Sequence, residues 1–382
     1  MMFTFHPYIN ICGETTVTDM ISVREEEKEN GVTAVFVDAL SKVRSADRGY
    51  GLIDGDKGVC IDTQLAGNIK GFMANYRLGE YWCVPYFGTD MSKIPDETQM
   101  LMMEMENGEF CVVVPVVNDR YKNVLVGKGE KEFTIRVYSW CDKLYTCRGL
   151  SFVYAVGRKP MELVEKCVRT ALSVLNSGVR HRTERRFPEL FEYLGWCSWD
   201  SMQIRVCEEG LLQKCEEFKE KKIPVKWAIL DDMWAEVRDF YRQEYDHPDE
   251  MGDLMGRSSL WHFEADPLRF PKGLAHCIYK IKEYGICVGI WHPTTGYWRG
   301  IDPDGEAYKQ LKDYLIETPG HIYVPDWHRD KSYMYYKTLH DFFRKCGADF
   351  VKIDNQSMTR RYYKNVAPVG QVLRWENIST IA

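Results

Sequence analysis

Beyond residue 193 the hydrophobic pattern changes period, and this change constrains the fold more than any other feature of the chain. Four short apolar runs, "YLGWCSW", "VKWAIL", "ICVGIW" and "DFVKI", alternate with amphipathic stretches. In "CEEGLLQKCEEFKEKK" Leu211, Cys215 and Phe218 share one helical face. In "PKGLAHCIYKIKEYG" Leu274, Cys277, Ile278 and Ile281 do the same, with Gly285 closing the helix. A third helix, "SYMYYKTLHDFFRKCG", ends at Gly347. Strand–helix repetition with near-continuous apolar strands specifies a parallel sheet with covered faces. A doubly wound sheet usually carries a glycine-rich phosphate turn after its first strand. Here "CSWDSMQIRV" follows instead, so a barrel is expected.

The preceding region has a different character. "TAVFVDAL", "QMLMMEMENGEFCVVVPVV", "KEFTIRVYSW" and "SFVYAVG" are short β-type runs without a long helical period. Asn107-Gly108 between two of them signals a two-residue hairpin, whose turn positions both need positive φ. Residues 1–159 therefore read as an antiparallel β-sandwich. Pro160 opens a helix with Leu163, Cys167, Thr170, Ala171 and Val174 on one face and Gly178 at its end. Residues 160–192 are assigned to this linker helix and connector, and 193–382 to the barrel. Two long insertions, 235–271 and 293–330, follow the second and third strands. Long loops after strands form the catalytic face of a barrel.

Composition excludes several classes. The 382 residues are 45% apolar, and the formal charge is −6. "RHRTERR" at 180–186 is the densest basic patch and reads as a solvated interdomain segment, so neither nucleic acid nor an anionic membrane is expected as a partner. No run reaches the roughly 18 apolar residues of a membrane span. "MMFTFHPYINICGETTV" lacks the cationic start and apolar core of a secretory signal. The 13 cysteines are scattered without any CxxC pair. Free thiols in a reducing cytoplasm fit them, with no cofactor and no zinc site expected.

The four strand ends carry Trp196, Trp199 and Asp200; Asp231, Asp232 and Trp234; Trp291, His292 and Trp298; and Lys352, Asp354 and Gln356. Aromatic faces suit the apolar C–H faces of a sugar ring, while carboxylates, amide and lysine suit its hydroxyls. A phosphate site would want more arginine and a metal site more histidine. Trp196 and Trp291 also fit a plain core, and Asp231-Asp232 a turn cap. Asp231, His292 and Asp354 are the residues a metal would use, although ligand spacing is absent. Lys352 is harder to place in a core, since buried lysine is almost always paired. It lies two residues from Asp354, on the same strand face.

"LGWCSWD", "AILDDMW", "DPLRFPKGL", "VGIWHPTTGYW" and "DFVKIDNQ" occur in the order seen in raffinose synthases, seed imbibition proteins and related α-galactosidases of glycoside hydrolase family 36. The resemblance covers roughly residues 190–360. It implies an N-terminal β-sandwich and a (β/α)8 TIM barrel, of which this chain holds about the first four βα units. It further implies a retaining enzyme acting on α-galactosides, by hydrolysis or galactosyl transfer, with Asp354 as nucleophile. Lys352, Asp231 and Asp232 would bind sugar hydroxyls, and Trp196 and Trp291 would shape the subsite; Gln356 is read as a further substrate contact from its amide and its place at the fourth strand end. "DDMWAEV" departs from the more usual "DDGWQ" at Met233 and Ala235.

A retaining glycosidase needs a second carboxylate about 5–5.5 Å from the nucleophile. In the resembled family it lies on a later barrel strand. After "KIDNQ" this chain offers only Glu376, in what reads as a helix. The expectation is the first half of a longer enzyme, which associates with another copy or with a missing C-terminal half. The competing expectation is a noncatalytic, degenerate sugar-binding protein that keeps the same pocket.

Overall fold

A computed structural model describes residues 2–11, 14–16, 21–40, 44–45, 48–49, 57–78, 82–118, 120–141, 146–176, 178–238, 256–368 and 371–372. Two compact units emerge, Met1–Arg185 with Tyr363–Val372, and one built on Arg186–Tyr362.

In the first unit the β-type runs join into one twelve-stranded sheet, with antiparallel pairing throughout. The order along its main path is Glu14–Thr16, Phe3–Ile11, Lys57–Leu65, Glu132–Tyr138, Lys122–Gly129, Thr98–Met105, Phe110–Pro115, Thr146–Gly157, Val32–Leu40 and Ile21–Glu27. Ile69–Arg77 and Cys83–Gly88 branch from Thr98–Met105. The sheet curls, because strands six steps apart on this path meet through their rings: Phe3 and Tyr154 have centroids 4.9 Å apart. Alternation sends Phe152 and Tyr154 into this enclosed core and Val153 and Ala155 to the opposite face.

Two expectations are corrected in this unit. The hairpin at Asn107-Gly108 has a three-residue loop: Met105 N–H donates to Glu109 O (2.8 Å), and Gly108 alone takes positive φ, +79°. That is a type I turn closed by a bulge glycine, with Asn107 Oδ1 accepting from Glu109 N–H at 3.0 Å. The helix Pro160–Leu175 is more than a connector. Its buried Leu163, Cys167 and Ala171 pack on Val112, Val153 and Ala155, so it covers the outer face of the sheet. Asn176, at φ +45°, ends it before Gly178.

The second unit holds four parallel strands, Gly195–Cys197, Trp227–Leu230, Cys287–Pro293 and Phe350–Asp354, hydrogen-bonded in chain order. Sequential order leaves no switch point of the kind a doubly wound sheet contains. Helices Glu208–Glu220, Gly273–Lys282 and Arg329–Lys345 connect the strands; the first two bury the apolar faces read from their period, and the third buries Tyr335, Tyr336, Leu339 and Phe343. Ala228, Leu230, Val288 and Ile290 are covered by this helical layer. The other sheet face is only partly covered: Trp227, Ile229, Phe350, Lys352 and Asp354 are all half-buried. Thus the first, second and fourth strands are not enclosed on both sides, whereas the third is buried on both from Val288 to Pro293.

The insertions are not plain loops. Ala235–Arg238 pairs with Ser259–Ala265, and Leu315–Thr318 with Ile322–Pro325. Ile301 bridges Leu260 and Tyr323, which ties the two insertions together. The stretch 239–255 of the first insertion lies outside the described residues.

Candidate active site

The carboxylates of this site stand where strands end. Asp231 and Asp232 follow the second parallel strand, and Asp354 terminates the fourth. Each group is followed by a residue in the left-handed region, Met233 at φ +73° and Asn355 at φ +68°. Such a turn re-aims the chain sharply, and a non-glycine residue there must be held by its surroundings. Met233 N–H donates to Asp232 Oδ1 (2.7 Å), and Asn355 N–H to Asp354 Oδ1 (2.7 Å). Each carboxylate thereby fastens its own turn. Glycine is the natural occupant of such a position, which gives Met233 a physical meaning as a departure from "DDGW".

Around Asp231 three donors converge. Lys352 Nζ reaches Oδ2 at 2.5 Å, the Cys197 thiol the same oxygen at 3.0 Å, and Asp232 N–H reaches Oδ1 at 2.9 Å. The Asp231 N–H donates to Ser198 Oγ at 2.9 Å. Asp232 is served by the Tyr297 hydroxyl (2.5 Å) and Met233 N–H on Oδ1, and by Trp298 Nε1–H on Oδ2 (2.6 Å). Asp354 receives Trp291 Nε1–H on Oδ2 at 2.9 Å. The register explains this contact, since Trp291 lies opposite Lys352 and Pro293 opposite Asp354 on the same sheet face.

Burial sets the electrostatics. Asp232, 2% exposed, has its pKa pushed up to about 6 by burial, against the pull of its donors. Burial works to lower the Lys352 pKa, but the bond to Asp231 outweighs it and the net shift is upward, so the ammonium persists. Burial, with Asp231 beside it, raises the Cys197 thiol to about 11, which keeps it a donor.

Asp231, Asp232, Trp291, Lys352 and Asp354 are thus brought into one cluster. Trp196 and Gln356 are not. Trp196 packs edge-on against Phe218 of a covering helix, with centroids 5.6 Å apart. Its neighbour Cys197 faces Asp231, so alternation turns Trp196 to the opposite face. Gln356 is exposed and turns back to Ile353 O at 3.1 Å. His292, 2% exposed, also points to the helix side, where its Nε2 meets His340 Nε2 at 3.1 Å. The trio Asp231, His292 and Asp354 therefore does not converge as a metal-ligand set would. Among the described residues no three His, Cys, Asp or Glu side chains are grouped that way.

Sequence reasoning missed Cys197 and Tyr297, and placed Trp298 only in a general list. The alternation Gly195-Trp196-Cys197 was a usable signal for the thiol. Asp200 is exposed on the short helix Trp199–Met202, and Glu376 lies outside the described residues.

The family described as "Raffinose synthase or seed imbibition protein Sip1" matches residues 63–366. A probable galactinol–sucrose galactosyltransferase 6 of Arabidopsis thaliana is 27% identical over 326 residues, 75% of this chain and 42% of that protein. The chain therefore spans less than half the length of this curated relative. Among solved structures, the α-galactosidase from Lactobacillus brevis is similar with a TM-score of 0.52 at 11% identity, over 98% of this chain and 55% of that one. A variant GH36 α-galactosidase from Geobacillus stearothermophilus, in complex with raffinose, has a TM-score of 0.52 at 11% identity, over 99% and 57%. At these identities the structures speak for the fold.

Proposed function

The chain belongs to the raffinose synthase or seed imbibition protein Sip1 family, and from that premise we propose that its strand-end cluster binds the galactosyl unit of an α-galactoside and that Asp354 is the nucleophile of a retaining reaction. The observation that carries this reading is the convergence of Asp231, Lys352, Trp291 and Asp354 from three parallel strands at their C-terminal ends. Catalytic groups of a barrel gather at that end. The sequential strand order supports reading the sheet as the first four βα units of a (β/α)8 barrel, following a sandwich-like N-terminal domain.

In this reading an Asp354 oxygen attacks the anomeric carbon as the glycosidic C–O bond breaks, leaving a galactosyl–enzyme ester. A second carboxyl protonates the departing oxygen, then takes a proton from water or an acceptor sugar that releases the galactose. Trp291 Nε1–H and Asn355 N–H fix both Asp354 oxygens in place before substrate arrives. Lys352 and Asp231 meet hydroxyls. Asp231 and Asp232 are poor acids for the leaving oxygen, because one is paired with Lys352 and the other is enclosed by three donors. The acid/base carboxyl is accordingly sought outside this cluster. Water and sugar acceptors, hence hydrolysis and galactosyl transfer, both fit.

A noncatalytic sugar-binding protein is the second reading, and the lack of a free second carboxylate in the described cluster favours it. An aryl α-galactoside with a good leaving group separates the two, since its departure needs little protonation. Release abolished by Asp354→Ala supports the nucleophile. Binding without release, in wild type and variant alike, selects the second reading.

A further inference from the structure

The loop leaving the third parallel strand sets a second, half-buried indole beside the cluster. We propose that Trp298 is the platform for the second sugar of the substrate, the unit that leaves or accepts; the inference rests on the α-galactoside reading above. Pro293 ends that strand level with Asp354. Trp298 comes five residues later, on the loop that follows, and its indole reaches Asp232, the residue next to Asp231.

Its indole is held at several points. Nε1–H is committed to Asp232 Oδ2 (2.6 Å), the ring lies 27° from the plane of Trp291 with centroids 6.4 Å apart, and its carbonyl accepts from the Tyr362 hydroxyl. The backbone around it is equally constrained. Gly300 has φ +70°, and a Cβ there would lie 2.3 Å from Tyr323 O.

The two tryptophans differ in what remains free. Trp291 is 1% exposed, with its N–H on Asp354 and its ring in the core. Trp298 is only half-buried. With its polar edge used, what it offers to solvent is ring surface. Sites for small molecules combine such apolar, aromatic walls with a few fixed polar groups. A ring already held by its neighbours loses little freedom when a ligand packs on it. Trp298 in this role is a specificity-determining residue: it adds affinity for an oligosaccharide over a single sugar.

The test is calorimetric titration of the full chain with galactose and with raffinose, for wild type, Trp298→Phe and Trp298→Ala. Both variants lose the N–H bond to Asp232, so both should weaken galactose by a similar factor. The ring is kept only by phenylalanine. We expect wild type and Trp298→Phe to bind raffinose more tightly than galactose by about tenfold, a margin that Trp298→Ala loses. The proposal is overturned if Trp298→Ala keeps the margin, if Trp298→Phe loses it as fully as alanine does, or if wild type binds galactose and raffinose equally. If wild type binds neither sugar, the α-galactoside reading falls and this inference falls with it.

Discussion

Each unit contains a lysine paired with a nearly buried aspartate, and the two pairs are built differently. In the N-terminal sheet Lys128 pairs with Asp62, while the Thr134 hydroxyl donates to the other Asp62 oxygen at 2.6 Å. Thr134 sits directly opposite Asp62 in register, and Lys128 comes from the next strand, so the group spans three adjacent antiparallel strands. In the parallel sheet Lys352 meets Asp231 with a whole strand, Cys287–Pro293, lying between theirs. Both pairs therefore skip a strand, and what differs is the side chain on the strand between: Thr134 donates to the same aspartate, whereas Trp291, opposite Lys352, donates to Asp354. The first group is closed within itself, while in the second the intervening residue links the ion pair to the Asp354 carboxylate and so makes the pair part of the candidate site.

The largest effect should therefore follow from Lys352→Ala. It leaves Asp231, whose side chain is 3% exposed, without its cation, at a cost on the order of 2–4 kcal/mol. The lysine side chain is 34% exposed, which moves the expectation toward the lower end. Galactoside binding should be lost as well. Lys128→Ala should cost only about 1 kcal/mol, because that lysine is 44% exposed and Thr134 stays on Asp62. It should leave sugar binding unchanged. Denaturant unfolding and calorimetric titration of the two variants check the contrast. Equal losses of stability and binding would erase it.

How much of this was legible depended on the range of the interaction. The helix faces Leu211–Cys215–Phe218 and Leu274–Cys277–Ile281 could be read because helical period is a local signal. The strand-end aspartates could be read because charge interrupts an apolar run. Trp196 was misassigned because its place at a strand end was weighed ahead of the alternation that sets it opposite Cys197, a signal only three residues long. The ties of Tyr297 and Trp298 to Asp232 span 65 and 66 residues, and no local pattern announces them. The curl of the antiparallel sheet is equally non-local, which is why separate strands could be recognised while their union in one sheet was not.

Acid should affect the second unit through His292. Burial, with His340 beside it, holds the His292 pKa down to about 3, against 6.5 in an unfolded chain. Below pH 6.5 the unfolded chain binds a proton that the folded one refuses, so this contribution is fully present above 6.5 and is lost as pH falls toward 3. The slope approaches about 1.4 kcal/mol per pH unit. Asp232 acts in the opposite sense. Its pKa rises from 3.8 to about 6, so the fold keeps a proton the unfolded chain gives up, and stability declines as pH climbs through that window. Unfolding free energies between pH 4 and 7 should show a shallower acid-side fall in His292→Gln than in wild type. An unchanged fall would remove His292 as its source.

The smallest effect is expected at the second of the two left-handed turns, and it sharpens the comparison between them. Met233 is 1% exposed and touches the Tyr297 hydroxyl through its sulfur at 3.3 Å, so a glycine there relieves the backbone but empties packed space. Asn355 is different. Asparagine tolerates the left-handed region, its Nδ2 makes one long contact to Thr295 Oγ1 at 3.2 Å, and its buried Oδ1 lacks a hydrogen-bond partner. Asn355→Gly removes that unpaired oxygen together with the weak contact, while the Asn355 N–H stays on Asp354. The net change should lie within about 1 kcal/mol of zero. Thermal unfolding together with aryl α-galactoside release would measure it. A large loss of release at unchanged stability would mean that the Asn355 side chain, and not only its backbone, positions Asp354.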